Sequence, residues 1–245
     1  MKPFQFHHKA VGIFLTAFYP SKERFVDLLL DLQEQAIDFI EIGIPYSDPI
    51  ADGPVIQQTS EVALANGFSV SELFDLLDEL QSQLQKPTVL MGYGNQVIQF
   101  GMEAFLQRCE KANIQALIFP DLPLEMLEHH KANTRHKSSV PFVHLVTPNT
   151  SDERIARIAK ACTNSFVYLV GNAQTTGGSY ALDAQLERYA AIKTLCGNVP
   201  VFLGFGIDSR EKKVLAHSVT DGVIIGSAYL QAVKSGKEQH FLARI

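Results

Sequence analysis

The clearest pattern along the chain is an alternation of short apolar runs with longer amphipathic segments. The apolar runs are rich in Val, Ile, Leu and Phe, which is typical of strands buried in a parallel sheet. Eight runs predict strands, at residues 12–18, 39–43, 88–93, 116–119, 142–146, 166–170, 201–204 and 222–225.

Each predicted strand is followed by a segment whose apolar residues recur at helical spacing. These segments predict helices at residues 23–35, 71–84, 103–112, 125–131, 152–161, 183–196, 210–216 and 228–234. Ser69 and Glu72 have the spacing of a capping box, and Ser151 precedes two acidic residues, so both serines mark helix starts.

Eight strand–helix units in 245 residues match the smallest closed (β/α)8 barrel, the TIM barrel. A doubly wound sheet usually has fewer strands and a crossover, so the count favours the barrel. We expect an α/β fold with a single domain over residues 1–245. In this barrel we expect a shortened N-terminal lead before strand 1 and extended loops after strands 2 and 6.

A lone glutamate, Glu41, interrupts the second apolar run, and Asp52 follows in the loop after it. Ile40 and Ile42 flank Glu41, so if they face the helices, Glu41 faces the barrel axis. A buried carboxyl is costly unless it is used, so Glu41 and Asp52 are candidate catalytic residues. The alternatives are a structural ion pair for Glu41 and a simple Asp-Gly turn for Asp52.

Glycines follow the last three predicted strands: Gly177 after strand 6, Gly206 after strand 7, and Gly226 with Ser227 after strand 8. Loops at these positions of barrels often hold a phosphate through backbone N–H groups, although tight turns would also explain them. Phe14 and Tyr168 lie on strands 1 and 6, either as core aromatics or as the lining of a pocket.

Composition and charge give little support to nucleic acid or membranes as binding partners. The 21 basic and 26 acidic residues give a net charge of −5, and the basic residues form no stripe, so nucleic-acid or anionic-membrane binding is disfavoured. No apolar stretch reaches the roughly 18 residues that span a membrane. The start of the chain resembles a secretory signal only weakly, because it lacks a small-residue cleavage site.

Cofactor chemistry has little support in the pattern. Cys109, Cys162 and Cys196 have no CxxC spacing, which fits a reducing cytoplasm and argues against disulfides. No metal-ligand spacing is present, so we predict no metal site. None of the lysines falls at the carboxyl end of a predicted strand, which disfavours a Schiff-base aldolase.

The stretch FIEIGIPYSDPIADGP, residues 39–54, resembles the signature of the tryptophan synthase alpha subunit family. The resemblance continues through Leu15-Thr16-Ala17, Asp121-Leu122-Pro123, Thr176-Gly177, Gly204-Phe205-Gly206-Ile207 and Gly226-Ser227-Ala228, so it covers essentially the whole chain.

The resemblance implies retro-aldol cleavage of indole-3-glycerol phosphate into indole and glyceraldehyde 3-phosphate, without a metal or organic cofactor. Glu41 would be the acid and base, and Asp52 would accept a hydrogen bond from the indole N–H. Gly177, Gly206, Gly226 and Ser227 would hold the phosphate. Phe14 and Tyr168 would flank the indole, and Thr176 would close onto the aspartate.

The resemblance also implies a tryptophan synthase beta subunit as partner in an α2β2 assembly. Pyridoxal phosphate would belong to that subunit, which would receive the indole through a tunnel. The expected contacts are Asp48 and Pro49 in the loop after strand 2, and Asp121 and Pro123 in the loop after strand 4.

Two departures from the family pattern leave an alternative open. Asn172 and Gln174 replace an arginine and a glycine in the loop after strand 6, the expected lid. The lead before strand 1 also lacks the usual helix. A catalytically weak alpha subunit that chiefly activates its beta partner is therefore the rival hypothesis, and a sugar-phosphate isomerase is a third.

Overall fold

In the computed structural model, residues 9–133, 137–171 and 185–245 are described. Their eight parallel strands form a closed barrel in chain order, as the sequence predicts. The strands are β1 (Ala10–Thr16), β2 (Phe39–Gly43), β3 (Thr88–Met91), β4 (Ala116–Ile118), β5 (Phe142–Val146), β6 (Val167–Val170), β7 (Val201–Gly204) and β8 (Gly222–Ile225).

Helices follow every strand in the described residues. They are α1 (Lys22–Glu34), α2 (Pro54–Ala65), α3 (Val70–Leu80), α4 (Gly94–Phe100), α5 (Met102–Lys111), α6 (Leu124–Asn133), α7 (Asp152–Ala161), α8 (Leu186–Cys196), α9 (Arg210–Val219), α10 (Ser227–Lys234) and α11 (Glu238–Arg244). The predicted start of α8, at residue 183, lies outside the described residues.

Three helices, α2, α4 and α11, were not predicted. In α2 the buried face includes Thr59 and Ser60, so its apolar periodicity is weak. The other two helices are seven residues long, too short to show a helical period. The two helix starts predicted from capping serines are confirmed. Ser69 accepts a hydrogen bond from the N–H of Glu72 at the start of α3, and Ser151 accepts one from the N–H of Arg154 at the start of α7.

Strand ends differ from the prediction where the backbone turns. β1 begins two residues earlier than predicted, since Ala10 and Val11 pair with β8. It ends at Thr16 because Phe18 adopts a positive φ of 59°. β3 ends at Met91 because Tyr93, predicted as its last residue, is the N-cap of α4.

Residue contacts divide the chain into two compact units. One contains Leu15–Phe142, and its core includes a chain of ring contacts through Phe74, Phe105, Phe119 and Phe142. The other contains Val143–Ile245 with the beginning of β1, and the rings of Phe166 and Phe202 stack in it at 4.5 Å. The prediction of a single domain stays a prediction.

Among the described residues, none of the helices combines the length and apolar composition needed to cross a bilayer. Each strand is instead buried along nearly its whole length. Parallel strands covered by helices are buried on both faces, which explains why they appear in the sequence as continuous apolar runs.

Candidate active site

Glu41 lies in the middle of β2 and is buried, with 3% of the residue exposed. Its Oε2 atom has no hydrogen-bond partner among the described residues. Burial raises the pKa of Glu41 to about 8, and the charge of Asp52 adds to the rise. A carboxyl group with this pKa holds its proton at neutral pH and can exchange it with a bound molecule.

Asp52 lies in the loop between β2 and α2, next to Gly53, the N-cap of α2. Its N–H donates to the carbonyl of Pro49 at 3.4 Å, and Gln57 Nε2 donates to its carbonyl at 2.8 Å. Burial raises the pKa of Asp52 to about 6, while a hydrogen bond from Tyr93 acts in the opposite direction. The loop therefore holds the carboxyl close enough to Glu41 for their charges to interact.

The two carboxyl groups form an acidic pair with different protonation states. At neutral pH most Glu41 is protonated and most Asp52 is ionised, because their pKa values are about 8 and about 6. Such a pair supplies a proton donor and a negative charge side by side. Within the described residues, no group of three or more His, Cys, Asp and Glu side chains is placed to hold a metal ion.

Tyr93, to which the sequence analysis gave no role, acts on Asp52. Its hydroxyl accepts from the N–H of Ala51, the residue before Asp52, at 3.2 Å, and hydrogen bonding from it lowers the pKa of the Asp52 carboxyl. Burial and the charge of Asp52 raise the pKa of Tyr93 well above its ordinary value, so the hydroxyl keeps its proton. The available signal was its position at the carboxyl end of the predicted third strand.

Asp121, predicted as a partner contact, also has a role inside the chain. Both of its carboxylate oxygens accept from the N–H of Gly94, each at 2.9 Å. Nearby, Asn95 Nδ2 donates to the hydroxyl of Tyr46 at 3.3 Å. Hydrogen bonds therefore join the loops that follow β2, β3 and β4.

The predicted aromatic residues Phe14 and Tyr168 lie on β1 and β6 and are 4% and 8% exposed. On β7, a Cβ atom at Gly204 would collide with the hydroxyl of Tyr168. Gly204 therefore lets the tyrosine ring lie against the β7 backbone, which explains a glycine at the end of an otherwise apolar strand.

Three of the four residues predicted to bind phosphate, Gly206, Gly226 and Ser227, lie in the described part of the chain. Gly206 is exposed with a φ of 78°, a conformation that favours glycine. Gly226 is the N-cap of α10 and Ser227 its first residue, and no side chain caps this helix start. Its free backbone N–H groups are of the kind that bind phosphates. Thr176 and Gly177 lie outside the described residues, as do Asn172 and Gln174.

The predicted partner-contact residues are exposed or half-buried. Asp48 and Pro123 are exposed, and Pro49 and Asp121 are half-buried. Large apolar side chains are exposed on the loop after β2 and on the helices α4 and α6. These are Ile50, Ile98 and Met126, exposed by 81%, 62% and 53%.

A family model described as tryptophan synthase alpha chain matches residues 5–244, nearly the whole sequence. The chain belongs to the tryptophan synthase alpha chain family. This family consists of lyases that cleave indole-3-glycerol phosphate, so the family and the enzyme class predicted from the sequence are confirmed.

Relatives and solved structures agree with this membership. The chain is 38% identical to the tryptophan synthase alpha chain of Flavobacterium psychrophilum over 224 residues, 91% of this chain and 88% of that protein. Tryptophan synthase subunit alpha from Legionella pneumophila is 30% identical, with a TM-score of 0.84 over 96% of this chain and 89% of that chain. The open form of tryptophan synthase from M. tuberculosis with BRD0059 bound is 29% identical, with a TM-score of 0.83 over 96% and 90%.

Proposed function

We propose that Glu41 is the acid and base of the family's retro-aldol cleavage in this chain. The protonated carboxyl donates its proton to C3 of the indole ring. The Glu41 carboxylate then takes the proton of the glycerol hydroxyl, the bond between C3 and the glycerol carbon breaks, and its electrons return to the ring. Indole and glyceraldehyde 3-phosphate leave, and Glu41 has regained its proton. The observation that carries this proposal is the buried Glu41 carboxyl beside Asp52, with its raised pKa.

Asp52 has the complementary role in this proposal. Protonation at C3 places positive charge on the indole nitrogen, and a carboxylate that accepts the N–H hydrogen bond stabilises that charge. The pKa of about 6 supports this role, because it leaves Asp52 ionised while Glu41 is protonated. One residue is therefore assigned to proton transfer and the other to charge stabilisation.

Substrate binding is assigned to residues of the later strands and their loops. Gly206, Gly226 and Ser227 would bind the phosphate through backbone N–H groups, supported by the uncapped start of α10. Phe14 and Tyr168 would contact the indole. Thr176 and Gly177 keep the roles of lid and phosphate residues that the resemblance implies.

The partner proposed for this chain is a tryptophan synthase beta subunit in an α2β2 assembly. The exposed apolar side chains of Ile50, Ile98 and Met126 support a protein-binding surface beside Asp48, Pro49, Asp121 and Pro123. Pyridoxal phosphate would belong to the beta subunit. The cleavage assigned to Glu41 and Asp52 balances through proton transfer, so we propose that this chain works without a cofactor. We also propose a cytoplasmic location, which is supported by three buried cysteines that form no disulfide bond in the described part of the chain.

The pH dependence of indole release tests these assignments. With Asp52 ionised and Glu41 protonated in the active form, kcat/KM is highest between about pH 6 and about pH 8 and falls outside that range. A rate that keeps rising above pH 8 would contradict Glu41 as the initial acid. The assay contains EDTA, and a loss of activity that added metal restores would contradict the cofactor-free proposal.

A further inference from the structure

The hydroxyl of Tyr93 is the group that connects Asp52 to the rest of the described site. It accepts from the N–H of Ala51, the residue before Asp52, at 3.2 Å. Hydrogen bonding from the same hydroxyl lowers the pKa of Asp52. One phenol therefore holds the backbone that carries Asp52 and favours the charged form of its carboxyl. Because Asp52 is on a loop, these contacts restrict the directions in which its carboxyl can point.

Tyr93 is itself held firmly. It is 1% exposed, and its ring stacks on that of Tyr46 with the centroids 5.0 Å apart. Its backbone forms the N-cap of α4, and the N–H of the next residue, Gly94, donates to both carboxylate oxygens of Asp121. The ring of Tyr93 is thus held by packing, and the backbone that follows it is held by Asp121.

We propose that Tyr93 is a positioning residue for Asp52, and that Asp121 holds Tyr93 in place through Gly94. The proposal rests on the function proposed above for Asp52. Tyr93 directs the Asp52 carboxylate toward the indole N–H and stabilises its charged form by donating a hydrogen bond. The line of contacts also connects Asp52 with the loop after β4, where partner contact is expected.

Besides the pair of Tyr93 and Asp52 itself, two ionisable groups in the described residues, Glu41 and Asp121, act on it. Glu41 on β2 interacts with Asp52, and Asp52 and Asp121 both interact with the Tyr93 hydroxyl. None of them is a cation, so in the described part of the site the Tyr93 hydrogen bond is the contact that lowers the pKa of Asp52. Without the Tyr93 hydroxyl, burial still raises the pKa of Asp52 but the opposing hydrogen bond is gone, so the pKa of Asp52 rises further.

The experiment compares Tyr93→Phe with the wild type in indole release and in a ¹³C NMR titration of the aspartate carboxyls. We expect the acidic limb of kcat/KM and the Asp52 titration to move together to higher pH by about one unit. The optimum kcat falls by roughly tenfold while KM changes less. A tyrosine that only packs would leave the limb and the titration unmoved, and that result would overturn the proposal.

Tyr189→Phe is the matched control, because Tyr189 is 2% exposed and its hydroxyl donates to Gln185 at 2.7 Å. It should leave the titration of Asp52 unchanged. Should Tyr93→Phe fold poorly, 3,5-difluorotyrosine at position 93 keeps the ring and donates more strongly, so the acidic limb should move to lower pH. A shift in the opposite direction would overturn the proposal.

The two measurements separate this inference from the function on which it rests. If the Asp52 titration shifts in Tyr93→Phe but the acidic limb of kcat/KM does not, the contact is confirmed and the role of Asp52 in cleavage is wrong. If the acidic limb of kcat/KM coincides with the titration of Asp52 in the wild type, and Tyr93→Phe shifts neither of them, only the positioning role of Tyr93 is wrong.

Discussion

At the scale of single residues, the site depends on a carboxyl group placed where ionisation is costly. Glu41 is buried in β2, and its Oε2 lacks a hydrogen-bond partner in the described part of the chain. The same burial that keeps Glu41 protonated, as the proposed acid catalysis requires, should lower the free energy of unfolding at high pH. Function and stability are therefore linked through one proton.

Glu41→Gln should stabilise the protein increasingly as the pH rises. The folded-state pKa of about 8 exceeds the ordinary value of 4.5, so the folded state binds the proton more tightly than the unfolded state. Stability from this group is complete below about pH 4.5 and is lost as the pH rises through about 8. The neutral amide avoids this loss, a difference in the free energy of unfolding of at most about 5 kcal/mol.

Urea unfolding at about pH 5, 7 and 9 measures this difference. Glu61→Gln, on an exposed position of α2, is the control for replacing a surface glutamate. If the free energy of unfolding depends on pH in the same way in the wild type and in Glu41→Gln, the fold does not hold Glu41 protonated.

The sequence indicated Glu41 and Asp52 because a carboxyl in an apolar strand and an acidic loop after it are visible as a pattern. Tyr93 could not be found in this way, since its role depends on a hydroxyl that reaches Asp52 from the next strand unit. The sequence does not distinguish a tyrosine that only packs in the core from one whose hydroxyl acts on a residue of the site. Contacts between separate units are set by three-dimensional packing, which one sequence does not report.

At the scale of elements, the loops after β2, β3 and β4 behave as one hydrogen-bonded group. Asp121 binds the start of α4, and Asn95 binds Tyr46. The apolar side chains exposed on this group belong to a short helix, α4, and to its neighbours. This arrangement is consistent with the partner-binding surface proposed above.

Ile98→Glu should weaken assembly with a beta subunit by roughly tenfold or more, because it places a charge in an apolar contact. Val214→Glu is the matched control, since Val214 is 60% exposed and Ile98 is 62% exposed, but Val214 lies on α9. Isothermal titration with the beta subunit measures both affinities. Equal affinities for the two variants would place the interface elsewhere.

The three helices that were not predicted lack a visible apolar period, α2 because its buried face is partly polar and α4 and α11 because they are short. The strands are continuous apolar runs and were located to within a few residues, whereas α2 buries Thr59, whose hydroxyl bonds that of Thr16 at 2.7 Å. A helix whose buried face is polar and internally hydrogen-bonded does not show the apolar period on which prediction relies. The start of the short helix α4 is held in part by Asp121, a residue 27 positions later in the chain, which a local pattern does not show.

At the scale of the molecule, the count of eight strand–helix units is enough to predict the barrel, without any assignment of functional residues. The closed order from β1 to β8 follows from that count, because a parallel barrel of minimal length has one strand and one helical segment in each unit. We propose that residues 1–245 form one domain, supported by β1, whose residues belong to both contact units. The wild-type urea curves described above test it, since one domain gives a single transition by circular dichroism and fluorescence.

The most direct test of the central claim is indole release from indole-3-glycerol phosphate by the purified chain, alone and with a beta subunit. The account predicts that the wild type releases indole, faster with the partner, and that Glu41→Gln loses roughly a hundredfold or more of that rate. Equal rates for wild type and Glu41→Gln would contradict the assignment of the acid. No release by the wild type in either state, while the chain still accelerates its partner, would make it a regulatory subunit.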